Sequence, residues 1–180
     1  MKDHFLSDRK AFLILVSILL ISSISFCAYA DQTAKKDQIG FIKAMSGEVD
    51  IADTGKASMG AMPWQPIYEG DTVRTGKNGK VKINFLNGNV LILGTDSAIR
   101  ISEYAYDVKN SISNTLLDNF RGSLKSIVKK LISKESAFSV KTANAQIGVL
   151  GTEFSLFYDP AKEDLRAYLM QHHIASLSTI

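Results

Sequence analysis

Residues 64–101, WQPIYEGDTVRTGKNGKVKINFLNGNVLILGTDSAIRI, decide the fold class. Lys80, Lys82 and Asn84 alternate with Val81, Ile83 and Phe85, the period-2 pattern of a strand with one wet and one dry face. Asn87-Gly88 follows, and then the apolar run Val90-Leu91-Ile92-Leu93. Asn-Gly between two apolar runs predicts a hairpin closed by a type I′ turn, whose two central residues need positive φ. Upstream, Glu69-Gly70-Asp71 and residues 75–79 (TGKNG) read as turns around a short strand, residues 72–75.

More short strands lie on either side. Residues 39–45 (IGFIKAM) and 48–52 (EVDIA) read as strands turned at Ser46-Gly47. Residues 53–62, rich in Gly, Ala and Ser, read as a loop closed by Pro63-Trp64-Gln65-Pro66. Residues 98–102 give a short strand, and 104–113 a polar link in which Tyr104 and Tyr106 share one face if extended. Residues 137–141, 145–149 and 153–158 complete the set, and Pro160 ends the last. Asp50, Asp53, Asp71 and Asp96 fall at turns, where such side chains commonly bond local backbone. Trp64, the single tryptophan, is expected in the core, because large aromatics usually supply burial; the alternative is a stacking platform for a sugar.

Residues 1–30 are a cleavable secretory signal peptide on their pattern. Lys2, Arg9 and Lys10 form the basic start, residues 11–26 the apolar stretch, and Ala28-Tyr29-Ala30 the cleavage site. The apolar stretch is shorter than the roughly 20 residues that span a bilayer. A lipoprotein is the less favoured reading of Cys27, since bulky Phe26 precedes it. Cleavage leaves 150 residues without cysteine, enough for one domain held by its core alone. The formal charge falls from +3 to +2, too mild a balance to argue for nucleic acid. No second apolar helix follows, so no membrane span is expected after cleavage.

Residues 116–131 are ambiguous. Leu116, Leu117, Phe120, Leu124, Ile127, Val128 and Leu131 fall at helical spacing, with Arg121, Lys125 and Lys129 four apart along one edge. Gly122 in mid-segment argues against a helix. A faint internal echo also runs through the chain: residues 73–78 (VRTGKN) resemble 140–145 (VKTANA), and 46–49 (SGEV) resemble 121–124 (RGSL). This hints at two similar half-units.

Several pieces, in this order, resemble the FecR-type periplasmic domain. They are residues 40–50 (GFIKAMSGEVD), Trp64-Gln65-Pro66-Ile67 with Glu69-Gly70-Asp71, and Val73-Arg74-Thr75-Gly76. Phe85-Leu86-Asn87-Gly88-Asn89, Arg121-Gly122-Ser123-Leu124, residues 138–142 (FSVKT) and residues 148–154 (GVLGTEF) follow. The resemblance covers residues 39–158. In its G-V-R-G-T-x-F stretch, matched here by Gly148, Gly151, Thr152 and Phe154, the family usually has arginine where Leu150 stands. It usually has Thr-Pro where Thr142-Ala143 stand, and it continues with a further strand that residues 163–180 do not show. The expected organisation is a signal peptide (1–30), a disordered lead (31–38), one domain (39–158) and an atypical tail (159–180), truncated or altered, leaving a sheet edge without a partner. The resemblance implies an all-β, sandwich-like or double-wound domain of short twisted antiparallel strands, and makes residues 116–128 a strand.

No catalytic constellation is legible. The mature chain has no cysteine, and His172 and His173 are neighbours that point to opposite faces of a strand. No zinc, P-loop, dinucleotide or nucleophile-elbow motif occurs. The expectation is a non-enzymatic module without metal or cofactor. Arg121, Lys125, Lys129, Lys130 and Lys134 form the one basic cluster, read first as a solvated face and otherwise as a polyanion contact. The resemblance implies a periplasmic (alternatively secreted) sensing or binding module that acts through an envelope protein partner, in signal transduction. The alternative is a binder of peptidoglycan or surface glycan that uses Trp64, Tyr104, Tyr106, Arg121, Lys125 and Lys129.

Overall fold

The computed structural model describes residues 36–53, 57–129, 133, 136–149, 151–169 and 177–179. The signal peptide and Cys27, Lys130, Lys134, Leu150, His172 and His173 lie outside the described residues. Every element among the described residues is a strand: β1 (Gln38–Ser46), β2 (Val49–Ala52), β3 (Met59–Gly60), β4 (Pro66–Tyr68), β5 (Thr72–Thr75), β6 (Lys80–Phe85) and β7 (Val90–Leu93) come first. Then follow β8 (Ala98–Asp107), β9 (Ile112–Ile127), β10 (Ala137–Lys141), β11 (Ala145–Val149), β12 (Glu153–Asp159), β13 (Asp164–Leu169) and β14 (Leu177–Thr179). The domain is all-β, as the sequence implies.

The strands form two sheets that share β9. Sheet A runs β4-β1-β6-β7-β9-β12-β13, and sheet B runs β3-β2-β5-β8-β9-β10-β11-β14. All pairs are antiparallel except β9 with β10. Alternating strands bury one face each. Ile42, Ile83, Leu91 and Leu156 from sheet A meet Val73, Ile99, Leu117 and Val140 from sheet B in one continuous core.

Strand β9 explains the helical spacing. Its first part lies between β8 and β10, and its second, from Gly122, between β7 and β12. Thr115 and Leu117 face the core in the first part; Leu124, Ser126 and Val128 do so in the second. Between them, Arg100 pairs with Asp118 and Ala98 with Arg121, so β9 carries one extra residue, a bulge. Gly122 then takes φ +91°. Two period-2 runs offset by this bulge and corner put Leu117, Phe120 and Leu124 three and four residues apart, which imitates a helix.

Gly122 is required there by space as well as by φ. A Cβ would sit 2.7 Å from Ser97 Cα. Around it, Ser123 N donates to Ser97 Oγ (2.9 Å), Gly94 N donates to Ser123 O (2.9 Å), and Thr75 Oγ1 donates to Gly94 O (2.6 Å). The Val73–Gly76 and Arg121–Leu124 pieces of the resemblance thus meet at one buried corner between the sheets. The echo between the halves does not extend to pairing. The first V-R-T strand leads into a turn that crosses from sheet B to sheet A, whereas V-K-T leads into the β10–β11 hairpin within sheet B.

Several boundaries differ from expectation. The β6–β7 hairpin is not closed by a type I′ turn. Gly88 has φ +82° while Asn87 is not in the positive-φ region, and Gly88 N donates to Phe85 O. This is a type I turn over Leu86-Asn87 followed by a left-handed glycine, the three-residue hairpin loop. Residues 104–113 are not a link but the far end of a long β8–β9 hairpin, its tip fixed by Asp107 Oδ1 accepting Lys109 N (2.8 Å) and Asn110 N (3.2 Å). Asp50 lies within β2 rather than at a turn, and β3 inside the expected loop pairs with β2. The tail supplies the strand thought missing: β13 covers β12, and β14 pairs with β11. Asp164, Arg166 and Tyr168 alternate with Leu165, Ala167 and Leu169, a strand pattern that starts right after the turn at residues 160–163.

Candidate functional site

Trp64 is not a core plug. It is 62% exposed. Residues 62–65 form a turn in which Gln65 N donates to Met62 O (3.2 Å), Pro63 holds the second position and Trp64 the third, at φ +67°. Proline fixes a negative φ, so this is a type II turn, whose third position calls for glycine. A left-handed conformation costs a residue with a Cβ about 1–2 kcal/mol. The turn is nonetheless firmly held. Trp64 N donates to Ile42 O (2.8 Å), Ile42 N to Gln65 O (3.0 Å), Met62 N to Gln65 Oε1 (3.0 Å) and Ala61 N to Val49 O (2.8 Å). The indole lies over β1, stacked on Phe41 at 5.4 Å and 18°, with Lys43 Nζ 4.1 Å from its centroid. Met62, in the same turn, is exposed, as is Met59 on β3 at the edge of sheet B. A hollow of ≈ 250 Å³ opens next to Met59, between Ile51, Gln65, Pro66 and Tyr68.

Tyr104 and Tyr106 do share a face, and both line a cleft of ≈ 440 Å³ with Asp37, Ile39, Glu69 and Leu86. Trp64 is not among the residues that line it. Tyr104 stacks on Phe85 at 5.9 Å, and its hydroxyl accepts Asn87 N (2.9 Å). Burial raises its pKa above the usual tyrosine value, against the lowering effect of that hydrogen bond, with Tyr106 adding to the rise. Glu69 Oε2 accepts Tyr104 N (2.9 Å), so this carboxylate of the cleft is engaged with backbone.

The basic residues separate on a strand. Four residues span about 13 Å there, against about 6 Å on a helix. Arg121 pairs opposite Ala98 in sheet B, before the corner. Lys125 lies on the outer face of sheet A and forms an ion pair with Glu153 at 2.5 Å. Lys129 follows the end of β9, its N–H donating to Asn89 Oδ1 (3.0 Å). Of the family-motif positions, Gly148 lies in β11, Gly151 (φ +88°) turns from sheet B into sheet A, Thr152 O accepts Val128 N (3.0 Å), and Phe154 packs edge-on against Phe138 in the core. These four positions build the fold.

The residues missed by sequence reasoning lie on the outer face of sheet A. Register places Phe41, Asn84, Val90, Ile127 and Glu153 in one row, and Lys82, Ile92, Lys125, Ser155 and Tyr168 in the next. Phe157 and Arg166 stand side by side below. Ile127, Phe157 and Tyr168 are all well exposed. Phe157 alternates along β12 with the buried Phe154, Leu156 and Tyr158, which places it on the outer face.

The molecule is therefore a two-sheet β module whose notable surface is a rigid, aromatic and basic face. The chain belongs to the FecR protein family: the family model for "FecR protein" matches residues 71–167. That membership associates it with sensing and signalling in the cell envelope. No curated protein matches the chain. A solved "Cell surface anchoring domain" is 34% identical over 34% of this chain and 82% of that one, with a TM-score of 0.33, too low to support an argument.

Proposed function

We propose that this chain is an exported, non-enzymatic sensing or binding module that acts through protein contacts in the cell envelope, in signal transduction. The periplasm is its proposed location, with secretion the alternative. Family membership supports the sensing role. The observation that carries the binding role is Trp64, a large aromatic held rigidly in water at a position suited to glycine. Trp is the residue most enriched among binding hot spots. Crosslinking in intact envelopes is expected to yield a defined protein partner that survives moderate salt; failure to find one would refute the reading.

The open indole also favours a second reading, binding of peptidoglycan or another surface glycan. Co-sedimentation with purified sacculi at low and high salt tests it. Salt-resistant binding that is lost with Trp64→Ala would support the glycan reading. Binding that vanishes with salt would point only to the basic residues. No binding at either salt would leave the protein partner.

A further inference from the structure

The proposed protein contact needs a surface, and the outer face of sheet A has the composition of one. Its apolar residues are fixed by the sheet or, at Trp64, by the type II turn. Met62, exposed in the same turn as Trp64, adds a flexible thioether that adapts to a partner's shape. The charges are unevenly placed. At the β12–β13 end, Lys125 is paired with Glu153 and Arg166 with Asp164. At the Trp64 end, Lys43, Lys80 and Lys82 project from β1 and β6, and among the described residues none of them has a carboxylate within ion-pair distance. Lys82 stands opposite Ala44, next along β1 to Lys43.

We infer that this face, with Trp64 as its anchor, docks an acidic protein surface whose apolar pocket receives the indole. The inference rests on the protein-contact reading above and specifies its surface and partner chemistry. Charge complementarity requires carboxylates opposite Lys43, Lys80 and Lys82. The neighbours of Trp64 favour protein over glycan. Met62 and Phe41 cannot exchange hydrogen bonds with sugar hydroxyls, and the rows beyond continue with Val90, Ile92 and Ile127. Such groups gain by meeting apolar side chains, as at the centre of a protein interface.

Site-resolved photo-crosslinking of the full chain in cells tests this. A benzophenone amino acid is placed at Met62 in the Trp64 turn or at Phe157 on sheet A, and at Arg74 or Ser139 on sheet B. A discrete protein adduct is expected from the first two and not from the others. It should fall about tenfold or more with Trp64→Gly and several-fold with Lys82→Glu. It should persist after muramidase digestion, and its crosslinked peptide should be rich in Asp and Glu. Trp64→Gly places the favoured residue in the turn, so an unchanged thermal melt separates lost docking from lost fold. Adducts from Arg74 or Ser139 alone, or adducts indifferent to both substitutions, would overturn the assigned face and leave the protein-contact reading intact. A basic crosslinked peptide would overturn the partner chemistry. Adducts removed by muramidase would replace the inference with the glycan reading, and no adduct at any position would remove the protein-contact reading itself.

Discussion

On the outer side of sheet B, Asp50 stands opposite Arg74 and Arg100 opposite Asp118. On the outer side of sheet A, Phe41, Val90, Ile127 and Phe157 stand among lysines, with Trp64 above them. The two sheets share a strand and one core, so the same burial stabilises both. Their outer faces differ in what they leave for water. Opposite charges facing each other across strands favour the pairing of those strands by about 0.2–1 kcal/mol each. Exposed aromatics in a strained turn add little to the fold. A contiguous apolar and basic surface of this kind is typical of interaction sites, and it is the face to which the docking proposed above is assigned.

The shared strand is the first place to break the comparison. Gly122→Ala puts a Cβ 2.7 Å from Ser97 Cα at a backbone φ of +91°. A loss of about 2–4 kcal/mol is expected in urea titrations. Both sheets should unfold in one transition, because the corner belongs to both; two separated transitions would show that the faces rest on independent units. Next come two large apolar residues in sheet A. Leu91→Ala, in the core, should cost about 2–5 kcal/mol. Trp64→Gly should change stability by less than about 1 kcal/mol, since relief of the left-handed strain offsets the lost stack on Phe41 and the Lys43 contact. A loss near that of Leu91→Ala would make Trp64 structural and remove the contrast between the faces.

The same contrast governs what could be read from the chain. Strands with one wet and one dry face, residues 72–75, 80–85, 90–93, 137–141 and 145–149, are legible because burial alternates along them. The family motifs are legible because corners demand particular residues: Gly122 for space, Thr75 for buried hydroxyl bonds. The outer face was not legible as a surface. Its rows join residues from strands distant in sequence, so register alone assembles them. Trp64 misled for a different reason. Burial tendency argued for the core, whereas Pro63 before it already marked a turn whose third residue points away from regular packing. Arg121, Lys125 and Lys129 looked clustered only on a helix that the bulge and corner of β9 imitate.

A smaller effect should separate the charges of the two faces. Asp118→Asn on sheet B removes the opposite charge that faces Arg100 across the strands and should lower stability by about 0.2–1 kcal/mol, less at high salt. Lys80→Gln, on the unpaired end of sheet A, should leave stability unchanged. Equal losses would mean that both faces are finished in the same way.

The last test concerns Tyr104, where the two sheets are tied at one end. Its ring, on β8 of sheet B, stacks on Phe85 of sheet A, and its hydroxyl accepts the N–H of Asn87 in the β6–β7 hairpin. Asn87 Nδ2 in turn donates to Ser113 Oγ on β9 (2.9 Å). Burial dominates the raised pKa, so the folded state holds the phenolic proton more tightly than the unfolded chain does. The resulting stability is fully present below the ordinary tyrosine pKa of about 10. It is lost as pH rises through the raised value, because the unfolded state then gives up its proton first. Ultraviolet titration of the folded protein should therefore show one tyrosine ionising later than the exposed ones. Tyr104→Phe should remove that late component and cost about 1 kcal/mol at neutral pH, since Asn87 N–H loses its acceptor. If the late component persists in Tyr104→Phe it belongs to another tyrosine, and if no stability is lost the shared strand and the core hold the two faces back to back without this hydroxyl.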